Sequence, residues 1–156
     1  MAEVRLGLQR SPLLASLADA DIDRLAVATV PSRFAAGETI VDSRTSSRSI
    51  AVVVEGRALL VLVEPDEPDA TVAELGEGDL LGLTDDIAGG RVLVVRAVTD
   101  CEVLSIEAEA AAEIGGRNAD VADALDRTSS IRRRRVDRII ERRSPADGAT
   151  RTGDDA

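Results

Sequence analysis

Residues 76–98 read GEGDLLGLTDDIAGGRVLVVRAV, and the fold prediction starts from this stretch. Gly76, Gly78 and Gly82 end one apolar run, a short polar turn follows, and Arg91 precedes a second apolar run. Glycine lets the backbone adopt positive φ and approach a ligand closely. Successive backbone N–H groups at such a turn form a concavity for anions, and a neighbouring arginine adds donors for phosphate oxygens. The stretch therefore predicts a phosphate cradle in a β-rich domain or, alternatively, a tight turn with a surface arginine.

The sequence before and after this stretch alternates short apolar runs with turns. The predicted strands lie at 34–36, 38–41, 50–54, 58–63, 71–75, 91–97 and 102–106. Between two of them, Glu55-Gly56-Arg57 predicts a hairpin turn. Another connection, Glu64 to Asp69, is acidic and contains two prolines, so we expect a solvated loop. About eight short strands without crossover helices favour an antiparallel roll or jelly-roll barrel.

Helical patterns flank this β region on both sides. Residues 11–29 predict two short helices that end at Val30-Pro31. A short helix follows at 107–114 and is expected to stop at Gly115-Gly116, and a long helix then runs from Asn118 to Arg143. We therefore expect one domain over residues 1–143, with the β-roll at about 32–106, C-terminal helices at 107–143 and a disordered tail at 144–156.

Composition argues against several classes of function. The 156 residues contain no histidine, which removes the commonest general base and the commonest metal ligand. Asp85-Asp86 suggests an exposed turn or helix cap more than a metal pair, and Cys101 suggests a small core residue more than a nucleophile. We expect no catalytic residues, no metal site and no cofactor. A single cysteine, with no signal peptide and no transmembrane segment, predicts a cytoplasmic location.

Charge is distributed unevenly along the chain. Residues 1–130 hold eleven arginines against twenty-four acidic residues, whereas 131–143 hold seven arginines against Asp137 and Glu141. The run Arg132 to Arg135 suggests either a nucleic-acid or acidic-lipid surface, or a solvated helix end paired with nearby carboxylates. We favour the solvated helix end, and an acidic body makes DNA binding unexpected.

The order of these parts resembles the cyclic-nucleotide-binding domain family, which includes catabolite activator proteins and regulatory subunits of cyclic-AMP-dependent protein kinase. Five segments between Leu8 and Ile140 carry the resemblance: SPLL with Leu17, FAAGE at 34–38, VVEGR at 53–57, LGEGDLLG at 75–82, and VRAVTDCEVL at 95–104. It implies a mainly β fold with flanking helices. That fold is a double-stranded β-helix, or jelly-roll-like β-roll, with short N-terminal helices and a short then a long C-terminal helix.

The resemblance also implies a ligand site with departures from the family pattern. Arg91 stands where the family arginine pairs with the cyclic phosphate, and Gly82, Leu83, Thr84 and Val92 fill the rest of the cassette. Leu83 replaces the glutamate that receives the ribose hydroxyl, at a cost of about 1–3 kcal/mol, or roughly tenfold to a hundredfold in affinity. Val92 replaces a residue that is usually Ser, Thr or Ala. The long helix would close over the base through Leu125 and Ile131.

Two functions follow from the resemblance and stay open at this point. The first is a non-catalytic regulatory module that senses cyclic AMP or cyclic GMP and relays binding through the C-terminal helix. The second is a degenerate module that binds no nucleotide and serves protein–protein association, as a homo-oligomer or in a larger assembly such as a channel. The sequence does not choose between the two nucleotides or name a partner.

Overall fold

A computed structural model describes residues 2–42, 50–81 and 90–143 as eight strands with helices on either side. The N-terminal helices are α1 (Ala2–Leu8), α2 (Pro12–Ala15) and α3 (Asp19–Val27). The strands are β1 (Thr29–Phe34), β2 (Thr39–Asp42), β3 (Ile50–Glu55), β4 (Ala58–Val63), β5 (Ala70–Leu75), β6 (Leu80–Leu81), β7 (Val92–Ala97) and β8 (Cys101–Ile106). Helices α4 (Ala108–Arg117) and α5 (Ala119–Arg143) complete the described chain. The predicted mainly β fold with flanking helices is confirmed.

The strands form two antiparallel sheets. The first sheet has the order β1-β8-β3-β6 and the second has the order β2-β7-β4-β5. Side chains of both sheets meet, together with Val136 of α5, in one cluster, the roll core. Its sheet residues are Ala51, Val53, Ala58, Leu60, Leu62, Val72, Ala73, Leu75, Leu81, Leu93, Val95, Ala97, Cys101 and Val103. Phe34 packs at its margin, so aliphatic side chains fill nearly all of the interior. Burial of this apolar surface is the main favourable contribution to the stability of the roll.

A second cluster, the outer core, joins the opposite face of the first sheet to the helices. It contains Leu8, Leu14, Leu17, Ile22, Leu25, Ala26, Val52, Leu80, Leu104, Ile106, Ile114 and Val121. Strand β3 therefore sends Ala51 and Val53 to the roll core and Val52 to the outer core. Because both faces of β3 are covered, this strand is apolar at five consecutive positions, Ile50 to Val54, and lacks the polar alternation of a solvated strand.

The predicted hairpin around Gly56 is wrong. Strand β3 pairs with β6 and β8 in the first sheet, whereas β4 pairs with β5 and β7 in the second. Gly56, at φ +100°, turns the chain from one sheet to the other. A Cβ at this position would collide with the carbonyl oxygen of Asp100, so only glycine fits. Two apolar strands around a short glycine turn are compatible with a hairpin and with a crossing between sheets. Packing of the two sheets selects the crossing.

Helix boundaries differ from the prediction at three places, and the first is α1 (Ala2–Leu8), which was not predicted. The two helices predicted in 11–29 are present as α2 and α3, but β1 begins at Thr29 and includes Pro31. Proline is tolerated there because β1 is an edge strand of the first sheet as described. Helix α4 continues through Gly115 and Gly116 and ends at Arg117, and the side chain of the next residue, Asn118, donates to the Ile114 carbonyl oxygen at 2.9 Å. Burial of Ile114 offsets the roughly 1 kcal/mol that each helical glycine costs.

Cys101 is a core residue, as predicted. Its side chain is buried, and Sγ lies 3.2 Å from the Arg57 carbonyl oxygen and 3.3 Å from that of Thr99. Burial raises the pKa of the Cys101 thiol, which disfavours the reactive thiolate. Within the described ranges, none of the helices has the length and apolar character needed to cross a membrane.

Candidate functional site

Strand register places Arg91 beside Glu64. Val92, the first residue of β7, pairs antiparallel with Val63, the last residue of β4. The residue before Val92 and the residue after Val63 therefore meet at the same end of the second sheet. Arg91 Nε lies 2.6 Å from Glu64 Oε2, and the Glu64 side chain is only 9% exposed. The arginine assigned to the cyclic phosphate thus already pairs with a carboxylate of its own chain.

A second arginine reaches the same carboxylate from the long helix. Arg143, the last residue of α5, donates to Glu64 Oε1 and to the Pro68 carbonyl oxygen, and its Nε lies 3.7 Å from Glu67 Oε1. We call Glu64, Arg91 and Arg143 the Glu64 cluster. Burial opposes ionisation of Glu64, but hydrogen bonds from Arg143 and Arg91 outweigh it and hold the pKa of this carboxyl below its usual value.

The expectation of a fully solvated loop at 64–69 is wrong for Glu64. Its acidic composition is typical of an exposed connection, and Glu67 and Asp69 do remain partly exposed. Glu64 differs because it directly follows β4 and points at two guanidinium groups, which neutralise it inside the fold. The loop between β4 and β5 therefore joins the arginine of the predicted cassette to the end of α5.

Helix α5 covers the roll core over its last three turns. Val136 is fully buried within that core, and Ile139 and Ile140 pack against it. Apolar contact and the Glu64 cluster thus hold the same segment of α5 against the second sheet, where α5 also contacts β5. The C-terminal part of α5 therefore closes one side of the roll core.

The four predicted site residues in the described part of the chain lie in three different places. Arg91 and Val92 lie together at the start of β7, and Val92 is half-buried. Leu125 packs against the outer core, and Ile131 is 46% exposed beside a cavity between α5 and β5. Gly82, Leu83 and Thr84 lie outside the described residues, as does Asp85-Asp86. Among the residues that are described, no group of three or more acidic or cysteine side chains could hold a metal ion.

Three residues of this arrangement were not among the predicted site residues: Glu64, Val136 and Arg143. The acidic composition of its loop made Glu64 look like an exposed residue. Glu64 directly follows β4 and Arg91 directly precedes β7, so the two residues can be predicted to meet once β4 and β7 are known to pair. Val136 lies on the apolar side of the helix that the sequence identified. Which of those apolar residues enters the roll depends on the docking of α5, and the helical period alone does not determine it.

The arginine run of α5 is only partly a solvated helix end. Arg133 Nε lies 3.8 Å from Asp137 Oδ1 on the exposed face, as the solvated alternative predicts. Arg132, by contrast, is 7% exposed and lies on the side of α5 that faces β5. Arg135 donates to the Val72 carbonyl oxygen at 3.4 Å. The run therefore includes side chains that face the roll as well as side chains that face solvent.

Known structures share this architecture at low sequence identity. A regulator of the Crp/Fnr family from Eubacterium rectale matches with a TM-score of 0.70 and 19% identity over 85% of this chain and 63% of its own. The regulatory subunit of a cAMP-independent protein kinase A from Trypanosoma brucei, as a mutant bound to cAMP, matches with a TM-score of 0.65 and 23% identity over 81% of this chain and 47% of its own.

A third match is the corresponding subunit from Trypanosoma cruzi bound to guanosine, with a TM-score of 0.64 and 23% identity over 81% of this chain and 46% of its own. This chain thus spans about half the length of the two kinase subunits. No curated protein matches it in sequence.

A family comparison agrees with the architecture. The cyclic nucleotide-binding domain model matches residues 31–118, which are more than half of the chain. The matched region runs from β1 to the end of α4, and it includes Glu64 and Arg91. Domains of this family are generally regulatory and non-catalytic. The chain belongs to the cyclic nucleotide-binding domain family.

Proposed function

We propose that this chain is a non-catalytic regulatory module that senses cyclic AMP or cyclic GMP and relays binding through α5. Arg91 would hold the cyclic phosphate, with Gly82, Leu83, Thr84 and Val92 completing the cassette. The single observation that carries the proposal is that Arg91 and Arg143 share the carboxylate of Glu64. A ligand phosphate bound to Arg91 competes with Glu64 and so alters what holds the end of α5.

The proposed relay follows from this competition. In the structure, the Glu64 carboxylate compensates the charge of Arg91 in a largely buried position. A cyclic phosphate replaces that carboxylate as the hydrogen-bond acceptor, and Glu64 then remains with Arg143 alone. The position of α5 shifts only as far as the ligand prefers one arrangement over the other. We propose residues 1–143 as the unit that responds.

Thermal unfolding with millimolar cyclic AMP or cyclic GMP tests the proposal. A ligand at 100 times its dissociation constant stabilises the fold by about 2.7 kcal/mol, which raises the melting temperature by several degrees. Arg91→Gln should abolish the shift. The matched control is Arg96→Gln, because Arg96 lies on the same strand and pairs with Asp69 at 3.0 Å on the surface. Guanosine serves as a phosphate-free comparison, and a shift that survives Arg91→Gln would refute the phosphate role.

A second candidate is a module that binds no cyclic nucleotide and serves protein–protein association. The observation that favours it is that Glu64 already neutralises Arg91, so the fold needs no anion there. Light scattering across a range of protein concentrations, with and without each nucleotide, measures self-association directly. Concentration-dependent association without any thermal shift from either nucleotide would support this candidate over the sensor.

A further inference from the structure

A cavity of about 170 Å³ lies between α5 and the end of β5, away from the Glu64 cluster. Helix α5 contributes Thr128, Ile131, Arg132 and Arg135 to its lining, and the facing side contributes Glu74 and Asp79. Arg132 and Arg143 are eleven residues apart on one helix, which separates them by about 16 Å along its axis. Neither Arg143 nor Arg91, the arginine assigned to the cyclic phosphate, is among the residues that line the cavity.

Arg132 is the unusual member of this lining. Only 7% of the residue is exposed, and it makes no hydrogen bond or ion pair in the described part of the chain. Burial of most of its surface weakens the hydration of the guanidinium, and an anion in the cavity that it lines would supply the missing acceptor. Burial lowers the pKa of Arg132, Asp79 raises it and Arg135 lowers it again. The nearby carboxylate thus compensates the charge only from a distance.

The neighbouring polar groups have spare hydrogen-bonding capacity that faces the same space. Arg135, three residues further along the helix, uses one N–H on the Val72 carbonyl oxygen and keeps further donors. Thr128 lies four residues before Arg132 on the same side of the helix and carries a hydroxyl. Across the cavity, Asp79 Oδ2 accepts the Gly76 N–H at 2.8 Å, which leaves its other oxygen as an acceptor.

We infer that this cavity binds a small phosphate, either inorganic phosphate or a phosphate monoester. Arg132 and Arg135 would hold it, and Asp79 would accept a hydrogen bond from a protonated oxygen of the ligand. Two guanidinium groups supply the donors that a tetrahedral oxyanion requires. The carboxylates on the opposite wall repel an anion that carries no proton. Hydrogen phosphate or a phosphate monoester near neutral pH can retain an O–H to donate to Asp79, whereas sulfate has none. The site thus favours phosphate over sulfate.

Calorimetric titration with inorganic phosphate, at constant ionic strength set by chloride, tests the inference on the whole chain. We expect one phosphate per chain and much weaker binding of sulfate. Arg132→Gln should weaken phosphate binding at least about tenfold, as loss of a charge-assisted hydrogen bond predicts. Arg135→Gln should weaken it in the same direction. Arg134→Gln, an exposed arginine on the same helix, should leave binding unchanged.

Two further variants serve as controls. One tests whether phosphate binds in this cavity or at the cassette, and the other tests whether loss of binding comes from the missing guanidinium or from unfolding. Arg91→Gln should leave phosphate binding intact, and loss in that variant but not in Arg132→Gln would overturn the inference by placing the anion at the cassette. Arg132→Met should fold at least as stably as the wild type, because it removes a buried charge and keeps the volume. Its failure to bind phosphate then reflects the missing guanidinium. Absent binding by the wild type, or equal binding of sulfate, would also overturn the inference.

Discussion

Arg91 donates to Glu64 across 2.6 Å, at the point where strands β7 and β4 end their pairing. The guanidinium that the family pattern assigns to a cyclic phosphate therefore already has an anionic partner within its own chain. A phosphate that binds Arg91 competes with this charge-assisted hydrogen bond for the same guanidinium charge, and such a bond contributes about 1.5–3 kcal/mol. Low intrinsic affinity is the expected result, in addition to the effect of Leu83.

Glu64→Gln should strengthen cyclic nucleotide binding by roughly tenfold, because the neutral amide competes less well with phosphate for Arg91. Calorimetric titration with cyclic AMP and cyclic GMP measures the change. Asp69→Asn is the matched control, since it removes the carboxylate of the exposed Arg96–Asp69 pair and should leave affinity unaltered. Unchanged or weaker binding by Glu64→Gln would show that Glu64 does not compete with the ligand.

Acid should selectively remove the stability that Glu64 provides. The pKa of Glu64 in the folded chain lies below its usual value of 4.5, so the folded state binds its proton less readily than the unfolded state does. The stabilisation is therefore fully present above that usual value and is lost as pH falls through the lower, folded-state pKa. Urea unfolding of wild type and Glu64→Gln at stepwise decreasing pH should show their difference shrinking. A constant difference would contradict the assignment.

Val136→Ala should destabilise the chain by about 2–3 kcal/mol, because it removes two methyl groups from a fully buried position and leaves a cavity in the roll core. Ile131→Ala is the control on the same helix. Ile131 is 46% exposed, so its truncation should cost less than about 1 kcal/mol. Denaturant unfolding of both variants gives the comparison. Similar losses would mean that α5 is not anchored through Val136.

Gly56→Ala should destabilise the fold by more than about 2 kcal/mol, since it adds a clash with the Asp100 carbonyl to an unfavourable positive φ. Gly37→Ala separates the two effects. Gly37 has φ +91°, but a Cβ added there would meet no atom within 4 Å, so only the backbone strain of about 1 kcal/mol applies. Thermal unfolding of the two variants measures the difference, and equal losses would exclude the steric contribution.

The sequence predicted the order of strands and helices well because apolar periodicity and glycine turns are local signals. Which strands pair with each other was harder to predict from the sequence. The turn at Gly56 suits a hairpin as well as a crossing between sheets, and only the packing of β3 against β8 selects the crossing. Arg91 was identified by its position before β7, whereas Glu64 became recognisable only through the register that pairs Val63 with Val92.

Charge composition predicted the solvent exposure of two residues wrongly, for a related reason. The acidic loop and the arginine run both predict solvated surfaces, and most of their side chains are exposed. Glu64 and Arg132 are the exceptions, since the docking of α5 buries one residue from each segment. Solvent exposure of a charged residue depends on what packs over it, and that information is spread across the whole fold.

Strands β3 and β8 contribute alternate residues to the roll core and to the outer core. Separation of these two strands would therefore disrupt both clusters at once. The N-terminal helices and the β-roll should consequently unfold in one cooperative transition. Amide hydrogens at the β3–β8 interface should exchange with solvent only through that global opening and should be the slowest to exchange in the chain. The last turn of α5 has no such double attachment, and its amides should exchange through smaller, local openings.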